Sequence, residues 1–596
     1  MHIPVLNKEN PNKLVFDLET DSVDVSKANI VSFHGYSYMT NEYFNLMYKG
    51  NEQKIKNILD SHDIFITFNG DEFDIKIISR IYRKNYNYTK DIDLYKIILK
   101  RGGLMKYGGF RSNSLKNVAK ELKLTQNKQE NFDYELLKKE SFTDEEILYI
   151  FEYGQQDILT TKELFEYIYN YFEFWKEYLP KRDILSWSWL MSSPGTYAYK
   201  VICHLSNIDE KWPTETINHD DYKFEGGFVS SPSVELEQGD IYCLDFNSAY
   251  PHAFMMMNLF GHKCKCCLEE DKYKGGSLFT LENSYCTKKL NPIGETIKKL
   301  YHQRMIYKQN KDERQFPLKI ILNTMYGITS NPTFLSVFNL NMAKDCTHFC
   351  RECTKFARQK FESAGYDILY SDTDSIYLKD KYADEERLMM IKDSVIKQIQ
   401  DSVQFPQDTF DLGIDERIKL IYFPKLKKKN YLYVSKEGKI TIKGLPIMKR
   451  DSSKLSRYIF DTYLKNRIID GQIRFDYYEI KDYIHKELSN DISLIAQQFK
   501  SRELKEYKSN TNLHYLISER YGPSTHYLIP NNVYGIGKSK KFCTIEEFKE
   551  KNILIEDIDL SKFWSEIEPF VNNFAFKKRK MRNSMNQQLL KRWATC

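Results

Sequence analysis

The run "GYDILYSDTDSIYL" occupies residues 365–378. Ile368, Leu369 and Tyr370 on one side, and Ile376, Tyr377 and Leu378 on the other, are strand-forming residues. Between them stand two acids one residue apart, Asp372 and Asp374. A solvated turn accounts for Ser and Asp at such a tip, because both bond their own backbone. A metal site accounts for them too. The choice decides whether the middle of the chain is an ordinary hairpin or the centre of a catalytic sheet, and it rests on what other segments carry.

The chain has 596 residues, too many for one core, so three or more domains are expected. Hydrophobic residues at 41% suffice for globular cores. A net charge of +6 is compatible with a nucleic-acid partner without demanding one. Eleven cysteines, an odd number at irregular spacings, suit a reducing cytosol better than a disulfide scaffold. The opening "MHIPVLNKENPNKL" has no long apolar run, and no stretch of 18 apolar residues follows. The expectation is no signal peptide, no membrane span and no membrane partner, with the cytoplasm (a host's, for a viral chain) as location.

The first third carries three carboxylate stations. "KLVFDLETDS" (13–22) reads as a buried strand ending in Asp17 and Glu19, which project to one face. "IFITFNGDEFDIKII" (64–78) gives a strand, then Asn69, then Asp74 opening the next apolar segment. In "FTDEEILYIFEYGQQDILTTKELFEYI" (142–168), Thr143 and Glu146 form a capping box ahead of a helix. Tyr153 and Asp157 share one face of that helix. Clustered acids repel unless cations lie between them. Two Mg²⁺ or Mn²⁺ ions about 3.5–4 Å apart would neutralise them and activate a water for phosphodiester cleavage, with Tyr153 placed to orient it.

A second constellation follows. "GDIYCLDFNSAYPHAFM" (239–255) puts a strand ahead of Asp245, with Tyr250 five residues on. The turn between them can offer backbone N–H groups to a phosphate, and a Tyr ring under a sugar clashes with a 2′-hydroxyl. Residues 291–332 read as two helices joined by a charged loop from Asn310 to Gln315. Arg304 and Lys308 lie four apart on the first helix. Lys319, Asn323 and Tyr326 form one stripe on the second. A helical hairpin would turn three cations toward one slot, as a triphosphate requires. Downstream, "YFPKLKKKNYLYV" (422–434) clusters Lys425, Lys427, Lys428 and Lys429 beside Tyr431 and Tyr433, a mixture suited to tracking a nucleic-acid backbone.

These segments resemble family B (alpha-like) DNA polymerases that carry a 3′–5′ proofreading exonuclease. "DLE", "NGDEFD" and "YGQQD" look like the three exonuclease motifs of the ribonuclease H-like class, in family order. "SLKNV", from Ser114 and Leu115, resembles the single-strand-binding motif, and Lys128 loosely matches a catalytic lysine of small-phage members. Asp245 to Pro251 resembles "DxxSLYP", Lys319 to Gly327 "KxxxNSxYG", Tyr370 to Ser375 "YxDTDS", and Lys429 to Tyr431 "KxY". "FEGGF", with Gly226 and Gly227, resembles the "YxGG" linker. Phe224 stands where that motif has Tyr, so its hydroxyl is missing.

The resemblance implies a multidomain α/β and α+β fold, a ribonuclease H-like exonuclease domain followed by a right-hand polymerase. The implied spans are residues 1–185 exonuclease, 186–230 linker, 231–290 palm, 291–332 helical-hairpin fingers, 333–425 the rest of the antiparallel palm, and 426–596 thumb with a basic C-terminal region. It implies template-directed DNA synthesis with two Mg²⁺ per active site (Mn²⁺ as substitute). Asp245 and Asp374 would ligate and Asp372 support. Arg304, Lys308 and Lys319 would meet phosphates, Tyr250 exclude ribonucleotides, and Asn323 and Tyr326 line the nascent pair. Asp17, Glu19, Asp74 and Asp157 would hold the exonuclease metals, with Tyr153 beside them. Asn69, Ser114, Leu115, Gly226, Gly227, Lys429 and Tyr431 would contact DNA. Implied partners are primer–template DNA, deoxynucleoside triphosphates and single-stranded DNA, and a terminal protein or processivity factor as a further class.

Compactness is similar to that of the small protein-primed polymerases of bacteriophages and linear plasmids, which suggests replication of phage or mobile-element DNA. Those enzymes carry two insertions in the polymerase half. Here Asp245 and Lys319 are only 74 residues apart and Asn323 and Asp372 only 49, which leaves little room for either. A DNA-binding, catalytically inactive homologue is the competing class, and the intact acids argue against it. "GHKCKCC" (Cys264, Cys266, Cys267) with Cys286, and "CTHFCREC" (Cys346, His348, Cys350, Cys353), both contain zinc-ligand types. Neither has paired C-x-x-C spacing, and thiols buried along a helix face account for the second equally well.

Overall fold

The computed structural model describes residues 11–86, 91–105, 110, 112–126, 132–185, 187–215, 222–449, 452–501, 503–507, 509–533, 535–536 and 541–572. Lys128 and the basic run 576–593 lie outside them. The chain forms two compact units. One comprises Met1–Gly226, Ser248–Cys350 and Ile399–Phe410, and the other Gly227–Asn247, Arg351–Gln398 and Asp411–Cys596.

The first unit begins with an α/β layer. Strands β1 (Lys13–Thr20), β2 (Ile30–Ser37), β3 (Glu42–Met47), β4 (Ile64–Thr67) and β5 (Asp91–Asp93) form a mixed sheet in the order β3-β2-β1-β4-β5. β1 is central because Leu14, Val15 and Phe16 are buried on both faces. It runs antiparallel to β2 and parallel to β4. The helix Asp144–Phe172 lies across this sheet and starts at the expected capping box, Thr143 with Glu146. Gly154 permits its close approach: a Cβ there would stand 2.2 Å from the His34 ring.

The remainder of this unit is helical. Within 186–230, expected as a linker, lies the helix Pro194–Leu205, which starts with Ser193 as N-cap and Pro at its first turn. Tyr197, Ala198, Tyr199, Val201 and Ile202 of that helix are buried. It packs on the helix Gln315–Thr329, which follows Pro292–Gln309 across the expected charged loop.

The second unit is α+β. Strands β6 (Phe228–Val229), β7 (Leu236–Phe246), β8 (Asp367–Thr373), β9 (Ser375–Lys379), β10 (Leu412–Tyr422), β11 (Tyr431–Ser435) and β12 (Ile440–Lys443) make a wholly antiparallel sheet ordered β12-β11-β10-β7-β9-β8-β6. The sheet therefore continues past residue 425, through Lys443. A cluster of Tyr370, Tyr377, Phe423, Tyr431 and Ile418 packs against it. A second core unites the helices Lys454–Ile459, Tyr477–Asn490 and Ser561–Ile567. There the buried Glu566 accepts from the N–H of Ser453 and the hydroxyls of Ser453 and Ser456, fixing a helix start. A small sheet, β13 (Gln497–Lys500), β14 (Thr525–Pro530) and β15 (Phe542–Thr544), completes this unit. Among the described residues no helix is long and apolar enough to cross a membrane.

Candidate active sites

Alternation along β1 turns Asp17 and Glu19 to one face, and the helix above brings Asp157 to the same point. One carboxylate oxygen from each of the three lies within 4.8 Å of the others. Glu19 and Asp157 are buried and Asp17 half-buried. Asp74, first residue of the helix Asp74–Ile81, flanks this trio and accepts from the N–H of Leu18 at 3.2 Å. Burial, then the charge of Asp17, holds the Asp74 carboxyl well above the usual carboxylate range. An all-oxygen set of this density suits a hard divalent cation, which would offset the mutual repulsion.

A cleft of about 400 Å³ opens on the trio, lined by Asp17, Asp157, Tyr153, Ser114, Leu115 and Phe132 among others. The Tyr153 hydroxyl lies 2.8 Å from that of Tyr134, and its ring stacks on Phe132 at 4.1 Å. Burial, then Asp157, raises its pKa, so it stays a neutral phenol. Ser114 caps the helix Leu115–Leu122 by accepting from Asn117 N–H. Asn69 adopts φ +71°, and its N–H donates to Asp93 Oδ1, which also accepts from the Tyr95 N–H. Asp93, Tyr134 and Phe132 were missed by sequence reasoning. Asp93 is signalled only by its place ahead of the helix Leu94–Met105, an N-cap position.

In the second unit, the strand ends build the other acid group. Asp245 sits on β7 opposite Ser375, the residue after Asp374, and the N–H of Phe246 donates to the Asp374 carbonyl at 3.0 Å. Asp372 pairs with Ser375, so Thr373 and Asp374 form a two-residue loop. Thr373 takes φ +61°, rare for a β-branched residue. Three contacts hold it: the Thr354 hydroxyl donates to its carbonyl, its own hydroxyl donates to Asp372, and Phe228 of β6 pairs with it. The Lys429 ammonium lies 3.4 Å from Asp372, and the Lys429 N–H donates to the Tyr370 hydroxyl. Of the neighbouring lysines, Lys425 pairs with Glu568 and Lys428 donates to the Val229 carbonyl. Tyr431, expected at the DNA, is 1% exposed; its hydroxyl lies 2.9 Å from that of Tyr377. The neighbouring lysines suggested a contact with nucleic acid, but Tyr370, Tyr377 and Phe423 cover its ring.

In the first unit, Lys319 and Asn323 are exposed and Tyr326 half-buried, along one stripe of their helix. Tyr326 stacks on Tyr250 with ring centres 4.7 Å apart and planes 10° from parallel. Phe224 meets Tyr326 edge-on at 6.3 Å. Arg304, expected to meet phosphate, is held inside the protein. It is buried and donates to the Ser248 hydroxyl at 2.8 Å, bracing the turn before Tyr250, where Ser248 has φ +52°. Lys308, one turn on, is exposed. Gly226 is exposed, and Gly227 lies against Thr373 in the second unit.

Comparisons with known proteins agree with this layout. The sequence profile of DNA polymerase family B matches residues 293–527, and that of the RNase H superfamily matches residues 14–169. The chain is 23% identical to a DNA polymerase of Archaeoglobus fulgidus over 93% of its own length and 74% of the relative's. It is 24% identical to DNA polymerase 1 of Saccharolobus solfataricus, covering 80% of this chain but 58% of the relative. With DNA polymerase 1 of Pyrococcus abyssi, also 24% identical, it spans about half of the relative's length. The family B DNA polymerase of Pyrobaculum calidifontis has the same fold, with a TM-score of 0.58 at 16% identity, over 94% of this chain and 78% of that one.

Proposed function

We propose, from the premise that this chain is a family B DNA polymerase with an RNase H-like exonuclease domain, that it extends a primer 3′ end on a DNA template and excises mispaired 3′ ends at a separate site. The observation that carries the reading is the presence in one chain of two unrelated acid groups. One is the Asp17–Glu19–Asp157 trio flanked by Asp74, and the other is Asp245 in register beside the Asp372–Asp374 tip.

In synthesis the primer hydroxyl attacks the α-phosphorus of a deoxynucleoside triphosphate and pyrophosphate leaves. Two Mg²⁺, or Mn²⁺, supply a lowered hydroxyl pKa and charge neutralisation. Asp245 and Asp374 are the proposed ligands. Asp372 is already tied to Lys429, which supports a secondary role for it. Lys319 takes phosphate charge, while Arg304 braces the turn that carries Tyr250. Tyr250, backed by Tyr326, faces the sugar, and Asn323 joins Tyr326 at the nascent pair. Lys429, Gly226 and Gly227 are the proposed contacts to the DNA backbone. In excision Asp17, Glu19, Asp74 and Asp157 hold the metals. Tyr153 positions the water and Asn69, Ser114 and Leu115 hold the frayed strand.

The short spacings after Asp245 and Asn323 support extension from a nucleic-acid end over initiation on a terminal protein. Resemblance to small family members supports replication of phage or mobile-element DNA, and the odd number and irregular spacing of the eleven cysteines support a reducing cytosol. Primer extension and single-strand degradation, each with and without Mg²⁺, test the function. A chain that binds primer–template but shows neither activity would be the inactive homologue. Covalent protein on the genome's 5′ ends would restore protein priming.

A further inference from the structure

Residues 257–291 are nearly devoid of regular structure, with only the short turns Leu259–Lys263 and Glu269–Asp271 and a single bridge between Tyr273 and Tyr285. A connection of this length inside a compact unit needs something to hold it. Part of the answer is polar. The Asn258 amide donates to the carbonyls of Cys286 and Lys289, and its oxygen accepts from the Asn291 N–H. Asp345 accepts from the N–H groups of Glu282 and Asn283 and from the Tyr285 hydroxyl.

At the centre of the segment four cysteines converge. The sulfurs of Cys264, Cys266, Cys267 and Cys286 all lie within 4.8 Å of one another. Cys286 Sγ is 3.4 Å from Cys266 Sγ and 3.6 Å from Cys267 Sγ, and the latter two are 3.9 Å apart. These are not disulfide distances, which are about 2.0 Å. They bracket the separation of about 3.8 Å that a tetrahedron of sulfurs with Zn–S bonds of about 2.3 Å requires. A [4Fe–4S] cluster binds each thiolate to a different iron and a [2Fe–2S] cluster splits the four into two pairs, and both spread the set of four sulfurs beyond a single-ion tetrahedron. The Thr287 hydroxyl lies 3.7 Å from Cys267 Sγ, a polar neighbour at the edge of the group. Lys272, beside the group, pairs with Glu269 at 2.7 Å. By contrast, Cys346, Cys350 and Cys353 are buried on the helix Leu340–Ser363, and among the described residues they join no such group.

We propose that Cys264, Cys266, Cys267 and Cys286 bind one structural Zn²⁺. Four thiolates fill the coordination sphere and leave no open position, so the ion staples rather than catalyses. Cys286 stands five residues before Asn291, the N-cap of the helix Pro292–Gln309. The staple thereby fixes the start of the helix that carries Arg304.

The test is metal analysis of the full chain purified without chelator. The expected result is about one zinc per chain, lost in Cys266→Ser with Cys286→Ser and kept in Cys346→Ser with Cys353→Ser. A second measurement needs no variant: Co²⁺ added to zinc-stripped protein should give thiolate-to-cobalt absorption in the near ultraviolet and a tetrahedral visible band. Zinc removal should also lower the melting temperature. Iron with acid-labile sulfide, zinc retained after all four cysteines are replaced, or a zinc-free protein that gives no cobalt spectrum would each overturn the proposal.

Discussion

Gly227 lies so close to Thr373 that a Cβ built on it would stand 2.7 Å from the Thr373 methyl. The absence of a side chain lets β6 pair with the tip that carries Asp372 and Asp374, through Phe228↔Thr373 and Val229↔Asp372. Thr373 cannot easily yield, because its hydroxyl and carbonyl are both bonded and its φ is already unfavourable. This glycine thus acts on the acids through packing, a role apart from any contact with DNA.

Gly227→Ala should cost about 1–3 kcal/mol of stability through overpacking and lower primer extension by about tenfold or more, since small displacements of reacting groups are expensive. Degradation of single strands should be unchanged. Adding Thr373→Ser removes the methyl and should recover part of both losses. Unaltered extension by Gly227→Ala would show that the tip does not depend on this packing.

Asp374→Asn should reduce extension by about a thousandfold or more and leave 3′–5′ degradation intact. Asp17→Ala with Glu19→Ala should do the reverse. Gel assays on one labelled primer read both. Loss of both activities in either variant, with melting behaviour preserved, would contradict two separate sites.

The Lys429–Asp372 pair is too exposed on the lysine side to matter for stability, so Lys429→Ala should change it by less than about 1 kcal/mol. Its effect on extension should be larger and coupled to Asp372. In a double-mutant cycle with Asp372→Ala, the losses in kcat/KM should fall short of additive. Additive losses would mean that the two residues act independently.

Asp74 is held protonated-favouring by burial and by Asp17. In metal-free buffer Asp74→Asn relieves that repulsion and should raise the melting temperature by a few degrees, about 1 kcal/mol. Mg²⁺ should raise the melting temperature of the natural protein more than that of the variant, and the variant should lose degradation. Equal stabilisation by Mg²⁺ would remove Asp74 from the metal set.

Tyr250 and Tyr326 stack face to face. Tyr250→Ala should increase ribonucleotide incorporation relative to deoxyribonucleotide. Tyr326→Ala should do so more weakly, because it removes only the support behind the ring. Single-nucleotide incorporation kinetics with paired substrates decide this.

Local patterns made much of the site legible. The capping box at Thr143, the hairpin strands around Asp372 and the two helices on either side of Asn310–Gln315 follow from spacing alone. What spacing does not carry is long-range pairing. β7 lies between β9 and β10, segments more than a hundred residues downstream, and no turn signal records that order. Burial from a third direction is equally silent, which is why Tyr431 reads as a DNA contact and Arg304 as a phosphate contact. The helix Pro194–Leu205 did announce itself, by Ser193 and Pro194, within a span taken as linker. The four convergent thiols come from a segment without period, where only the folded loop shows which sulfurs meet.

The two ends of the seven-stranded sheet bear on how the protein behaves in concentrated solution. An exposed strand edge is a template for another chain. On one side the sheet ends in β6, only two residues long, and on the other in β12, four residues closing on Lys443. Neither edge is long enough to recruit a neighbour into a continuous sheet. The longest strands of this sheet, β7 and β10, are both interior. Aggregation resistance should therefore depend on keeping the sheet closed over β7, and variants that loosen β9 or β11 should precipitate before they lose their secondary structure.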